Sequence, residues 1–303
     1  LRSALDDPEQ PPRKRCQVKP LRARIQAACA STGAPQTVVE KDYAISYVLL
    51  AIARTMTLRT AFVLKGGTTL KKLYFGDYRF SEDLDVSAVD APTGPGLEAA
   101  LREVATDTAG LLAAHGPFDV SLERYTEHSP HPAGQEAFIV RVRFPWHPSP
   151  LCRVKLEVTH DEPVLLPPEE RPILHAFEET IEGTIRCYRL EEVVAEKLRA
   201  LLQTQQRLHA RGWTRPRARD YYDLWRVLTR YGEGLERSIL PELIAAKCRH
   251  RGVSYGSLDS FFSDDLVAEA QRHWQASLGS FVTPLPSCDL VLDELRPLLD
   301  GLV

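Results

Sequence analysis

Phe62-Val63-Leu64-Lys65-Gly66-Gly67-Thr68-Thr69-Leu70, followed after a short interval by Arg79-Phe80-Ser81-Glu82-Asp83-Leu84-Asp85-Val86, is the stretch that decides the fold. An apolar run ends in two glycines and two threonines, and the second segment offers two carboxylates at spacing two. In a strand, residues i and i+2 face the same side. Burial of Leu84 and Val86 therefore sets Asp83 and Asp85 side by side on the other face. Adjacent like charges cost stability unless a cation sits between them, and hard oxygen ligands suit Mg²⁺ or Mn²⁺. Gly66 and Gly67 permit close backbone approach, and exposed N–H groups there hold an anion. Thr68 to Tyr74 reads as a short helix whose N-terminus adds to that anion site. Its Leu70, Leu73 and Tyr74 are expected inward, Lys71 and Lys72 outward. Ser81 either donates to a phosphate oxygen or simply opens the strand. A phosphate cradle beside a metal-binding carboxylate pair implies phosphoryl or nucleotidyl transfer.

The composition sets bounds around this unit. The 303 residues suffice for a large core and two subdomains. Lys plus Arg is 38 against 41 for Asp plus Glu, a formal net charge of −3, so any surface for nucleic acid must be local. No apolar run approaches the ~20 residues of a membrane span. The charged, proline-rich start does not read as a signal peptide, and Leu1 suggests a trimmed or alternative start. Six scattered cysteines without a CxxC pair argue against zinc or disulfides and fit a reducing cytoplasm.

Residues 1–20 read as a flexible tail. Helices are expected over Leu21 to Cys29, Val38 to Met56 (with Glu40 to Tyr43 as a solvated first turn) and Leu97 to Ala114. Phe118 to Leu122 alternates as a strand, and Glu127 to Gln135 reads as a turn. Phe138 to Phe144 and Arg153 to Thr159 form a hairpin pair. The proline-rich segment from Pro163 to Pro172 marks a boundary. Beyond it the pattern turns helical: Leu190 to Leu208, Arg217 to Tyr231, Leu240 to Arg249, Phe261 to Leu278 and Cys288 to Leu299. The expectation is an α+β chain, with a mixed-sheet domain over 21–165 and a helical bundle over 166–303.

Four further groups bear on chemistry. Glu157 stands on the polar face of the second hairpin strand. It is either a third acid for two-metal transfer or a strand carboxylate paired with Lys155 or Arg141. Lys197 interrupts an apolar helical stripe, and a lysine there is costly unless it meets an anion such as a triphosphate or snorkels at the stripe's edge. Asp220 and Asp223 share a helix face; Asp220 either pairs with Lys197 or serves as a base, while Asp223 reads as a surface carboxylate. Arg207, Arg211, Arg215, Arg217, Arg219, Arg226 and Arg230 interleave with Trp213, Tyr221, Tyr222 and Trp225. Arginines with aromatics suit phosphates and stacked bases. Tyr222 and Trp225 read as core, and the loop from Arg211 to Arg215 as an RNA contact, continued by Arg217 and Arg219.

Gly-Gly-Thr followed by Asp-x-Asp on the next strand resembles the DNA polymerase β-like nucleotidyltransferases. Glu40-Lys41-Asp42-Tyr43, Lys65-Gly66-Gly67-Thr68, Ala195-Glu196-Lys197 and Arg219-Asp220-Tyr221-Tyr222-Asp223, in this order, look more narrowly like the AbiEii/AbiGii toxin family of type IV toxin–antitoxin systems. The resemblance implies an enzyme that moves nucleotides from an NTP to an RNA, with the tRNA 3′ end as acceptor, so that translation stops. It implies metal on Asp83 and Asp85, phosphate on Lys197, Asp220 as a further catalytic carboxylate, and Lys65, Gly66, Gly67, Thr68 and Ser81 around the nucleotide. A cognate antitoxin is the implied partner, and no membrane is involved. AMP-type transfer to a protein hydroxyl and a non-catalytic nucleotide- or RNA-binding module are the rival readings.

Overall fold

A computed structural model describes residues 19–126, 135–212 and 215–302. The tail expected over 1–20 lies outside these residues except for Lys19 and Pro20. The turn expected over 127–135 lies outside them except for Gln135, as do Trp213 and Thr214 of the arginine-rich loop.

Three helices, α1 (Leu21–Thr32), α2 (Gln36–Arg54) and the short α3 (Met56–Arg59), precede β1 (Phe62–Lys65). A single turn, α4 (Gly66–Thr69), leads into a wider helical turn at Leu70–Tyr74 and then to β2 (Asp83–Ala88). α5 (Gly94–Leu112), β3 (Asp119–Tyr125), β4 (Gln135–Arg143) and β5 (Cys152–Thr159) follow. β6 (Glu169–Pro172) and β7 (Thr184–Cys187) complete one seven-stranded sheet, ordered β3-β4-β5-β2-β1-β7-β6. Pairing is antiparallel except for β2 with β5 and β1 with β7. The sheet thus continues past residue 165, and the helical half begins at α6 (Leu190–Arg211). It continues through α7 (Ala218–Tyr231), α8 (Leu240–Arg251), α9 (Asp264–Leu278) and α10 (Cys288–Leu299). The mixed sheet with a C-terminal helical bundle is the architecture expected from the sequence.

The two faces of the sheet are treated differently. Leu84 and Val86 join Phe62, Leu64, Leu156 and Val158 in a core closed by α2 and α5. The opposite face carries Asp83 and Asp85, as the spacing required. The helical half buries its own core of Leu198, Leu201, Tyr221, Leu224 and Val227 against Val63 and Leu70.

Two expectations fail. Glu40 and Asp42 do not form a solvated turn, and Lys71 and Lys72 do not face solvent: all four are buried. After Thr69 the helix widens, and the Phe75 N–H bonds to the Leu70 carbonyl, five residues back, at 2.8 Å. That extra residue per turn breaks the 3.6-residue phase from which an outward face was read. Lys72 is thereby driven onto α2, where its Nζ lies 2.6 Å from Asp42 Oδ2 and donates to Ser46 Oγ at 3.0 Å. Glu40 accepts from Trp146 Nε1 at 2.8 Å and pairs with His147 at 2.9 Å.

Removing one partner of a buried ion pair leaves the other charge uncompensated, at about 3–5 kcal/mol. Asp42→Asn or Lys72→Met alone should lower the urea-unfolding free energy by that much. The double variant should recover part of the loss, because both charges leave together.

Candidate active site

The strand register builds one wall of the site. Lys65 on β1 sits opposite Asp85 on β2, and Asp85 sits opposite Glu157 on β5. Neighbours in register share a face, so Lys65, Asp85 and Glu157 form a row across three strands, with Asp83 and Lys155 one pair along. Burial raises the Asp85 carboxyl to about 8, with Glu157 and Asp83 adding to the shift and Lys65 opposing it. Burial likewise raises Asp83, helped by Glu82 and Glu157. Glu157 stands in register beside Asp85 and pairs with Lys155 at 2.5 Å, the partner the strand reading offered.

The glycines set how closely the backbone approaches. Gly66 has φ +72°, and a Cβ there would lie 2.4 Å from Asp85 Oδ2. A Cβ on Gly67 would lie 2.5 Å from the Arg79 guanidinium and 3.2 Å from Ser81 Oγ. Any side chain at either position displaces a group of the site. Thr68 has a different place from the one expected: it is buried and donates to the Asp83 carbonyl at 2.5 Å. It fastens α4 to the strand bearing the carboxylates instead of lining the cavity.

The facing wall comes from the helical half. Lys197 on α6 lies 2.7 Å from Asp220 Oδ1 and 2.7 Å from Asp223 Oδ2. Asp223 is no surface carboxylate, being fully buried. It accepts from Arg79 Nε and Nη2 at 2.6 Å each and from Tyr78 Oη at 2.9 Å. Burial works against its charge, but Arg79 and Lys197 outweigh it and hold the carboxyl far below the ordinary range. Burial opposes the charge on Asp220 as well, yet Lys197 and Arg217 hold it low. Between its two carboxylates Lys197 stays charged despite burial.

Both walls open on one cavity of about 520 Å³, within the usual range of roughly 300–1,000 Å³ for small-molecule sites. Lys65, Gly66, Gly67, Ser81, Asp83, Asp85, Glu157, Lys197 and Asp220 all line it. So do Arg207, Arg211, Arg215, Arg217 and Arg219. Arg219 is also tied back, pairing with Glu82 at 3.3 Å and lying over the Phe281 ring. Arg207 is half-buried, and burial together with Arg217, Arg211, Arg199 and Arg215 lowers its pKa.

The sequence reading missed Arg79 and Asp223, the pair that locks the two walls together. A signal was present: a lysine inside an apolar stripe demands a buried counter-charge, and the carboxylate one turn from Asp220 is the nearest candidate. Tyr222 is core as expected, whereas Trp225 is half-buried and donates to Glu294.

The acidic row suits a hard divalent cation. Half-buried Asp85, raised to about 8 by desolvation and by the neighbouring Glu157 and exposed Asp83, is a group short of positive charge. Among the described residues no three His, Cys, Asp or Glu side chains make a complete metal cage. Asp83 and Asp85 would be the protein's ligands, with Glu157 at hand.

A profile of the nucleotidyl transferase AbiEii toxin family, type IV toxin–antitoxin systems, matches residues 48–298. Curated protein sequences give no match. Among solved structures the chain is similar to MenT4, a nucleotidyltransferase toxin from Mycobacterium tuberculosis. The TM-score is 0.63 at 21% identity, over 93% of this chain and 89% of that one, a likeness of fold.

Asp85 supplies a test that needs no substrate. Its folded pKa lies above the unfolded value, so metal-free protein loses stability as pH rises from the ordinary 3.8 to about 8. Asp85→Asn removes that loss and should raise stability at pH 7 in EDTA by on the order of 1–3 kcal/mol. Mg²⁺ should then raise the melting temperature of the wild type and leave Asp85→Asn unmoved.

Proposed function

The chain belongs to the nucleotidyl transferase AbiEii toxin family of type IV toxin–antitoxin systems, and on that premise we propose that it transfers nucleotides from an NTP to an RNA, with the tRNA 3′ end as acceptor. The observation that carries the RNA reading is the arginine group around Arg207. Arg207, Arg211, Arg215, Arg217 and Arg219 line one cavity with the acidic row, a local concentration of positive charge in a chain of net charge −3. Their position at the mouth of the acidic cavity suits a chain of phosphates entering it.

The acceptor's terminal hydroxyl oxygen attacks the α-phosphorus of the NTP. A new P–O bond forms, the α–β bridging bond breaks and pyrophosphate leaves; the hydroxyl proton passes to the acidic row. Backbone N–H groups at Gly66 and Gly67, with the Ser81 hydroxyl, face the phosphates. Lys197 meets the negative charge that grows on the leaving pyrophosphate. Asp220 is ion-paired to Lys197, which holds its carboxyl below the ordinary range, so it is a positioning residue for Lys197, not a base. Asp83 and Asp85 would hold a divalent cation, which would supply Lewis-acid stabilisation of the charge developing at the reacting phosphate. A cognate antitoxin is the partner this family implies, and blocked translation is the consequence of a modified tRNA 3′ end.

Each α-labelled NTP, incubated with the protein, Mg²⁺ and total RNA, should label RNA of tRNA size. Label in protein would replace this reading with transfer to a protein hydroxyl, and binding without pyrophosphate release would leave only a binding module. Asp83→Ala and Lys197→Met should each lower transfer by on the order of 100-fold or more with the fold kept. Arg211→Gln and Arg215→Gln should raise KM for RNA and reduce the salt dependence of binding by about 0.7 per arginine on a log–log plot.

A further inference from the structure

A second cavity, of about 1010 Å³, lies behind the strip from Gly76 to Phe80, between α1, α2 and the helical half. Arg79 lines both this cavity and that of the proposed transfer site. Most charges in its wall are matched. Arg24 pairs with Glu179, Asp77 with Arg230 at 2.6 Å, Glu178 with Lys19 at 3.5 Å and Arg79 with Asp223.

Three groups are left over. Lys71 is buried, yet among the described residues no acid lies within ion-pair distance; its Nζ donates to the Gly76 carbonyl at 2.7 Å and sits 4.8 Å from the centre of the Phe80 ring. Lys72 next door shows how a structural buried lysine is satisfied, by Asp42 and Ser46 together. The Arg226 Nε is buried with no hydrogen-bond partner, and among the described residues this guanidinium makes no ion pair. Asp42 Oδ1 is also buried and without a partner, its other oxygen being held by Lys72. Around them the wall is aromatic, with Phe80, Phe177, Tyr222, Trp225 and Phe281.

Two cations without an acid in ion-pair range among the described residues, Arg226 resting on the Trp225 ring and Lys71 on a carbonyl and the Phe80 ring, and one carboxylate oxygen without a partner, in a large aromatic-lined cavity, describe a receptor more than a packing defect. Native interiors leave few polar groups unmatched, and a group so left calls for a reason. A cavity of this size holds a drug-sized molecule, aromatic walls favour a flat ring, and a buried ammonium favours an anion. We propose that this cavity is a second binding site, separate from the transfer site, for a small aromatic anion that also carries an N–H or O–H donor. Lys71 and Arg226 take the anion, the rings enclose the aromatic body, and Asp42 accepts from the donor. The site goes beyond the transfer reaction and does not depend on it. Its occupant competes with the Gly76 carbonyl for Lys71, at one end of the strip whose other end carries Arg79.

The test uses 5-aminonaphthalene-1-sulfonate, a fluorescent probe with all three features, titrated into the full chain. Inorganic triphosphate in excess fills the phosphate cradle of the other cavity. The expected result is saturable binding at one site per chain that persists under triphosphate. Lys71→Met and Arg226→Gln should each weaken it at least tenfold, with melting temperature confirming that each variant folds. If Lys71→Met does not fold, Arg226→Gln decides alone. Displacement by triphosphate, wild-type affinity in the folded variants, or no saturable binding would each overturn the proposal.

Discussion

The carboxylate of Asp223 is the constraint on which the rest depends. One fully buried side chain on α7 accepts from Arg79 and Tyr78 on the sheet side and pairs with Lys197 on α6. Unpaired, each of these buried charges would be strongly unfavourable. Together they fix the angle between the helical half and the sheet, and they hold the Arg79 guanidinium against Gly67. Lys197 therefore stands in the cavity wall opposite the acidic row because a carboxylate with no other evident task holds it there.

The two walls are opposite in character. On the sheet side, Asp83, Asp85 and Glu157 crowd together at the expense of the metal-free fold. On the helical side, Asp220 and Asp223 are over-compensated and firmly ionised. A site that must take up a cation at one wall and a polyphosphate between both walls needs this asymmetry. The arginines at the mouth extend the same logic outward. A net charge of −3 conceals them, because the balancing acids are spread over the rest of the chain.

Much of this was legible in the residues. The β1–glycine–β2 unit, the shared face of Asp83 and Asp85, and the place of Glu157 follow from strand periodicity alone, which is rigid at two residues. Helices α6 to α10 follow from apolar spacing. The failures have physical causes. One widened turn at Leu70–Tyr74 was enough to send Lys71 and Lys72 inward, and no propensity signals such a turn. β6 and β7 were missed because four-residue strands among prolines show too little alternation to read. Asp223 was misjudged because a charged residue on a helix is usually solvated; the partner that buries it, Arg79, lies 144 residues away in the chain.

The most direct test of this arrangement is calorimetric binding of NTP to Asp223→Asn, beside the wild type, with thermal unfolding measured on the same samples. Asparagine keeps the shape and part of the hydrogen bonding but withdraws the charge that fixes Arg79 and Lys197. The expected result is a folded protein whose NTP affinity falls at least tenfold, although Asp223 does not line the cavity. A folded variant that binds NTP as tightly as the wild type would contradict the central role given to this carboxylate.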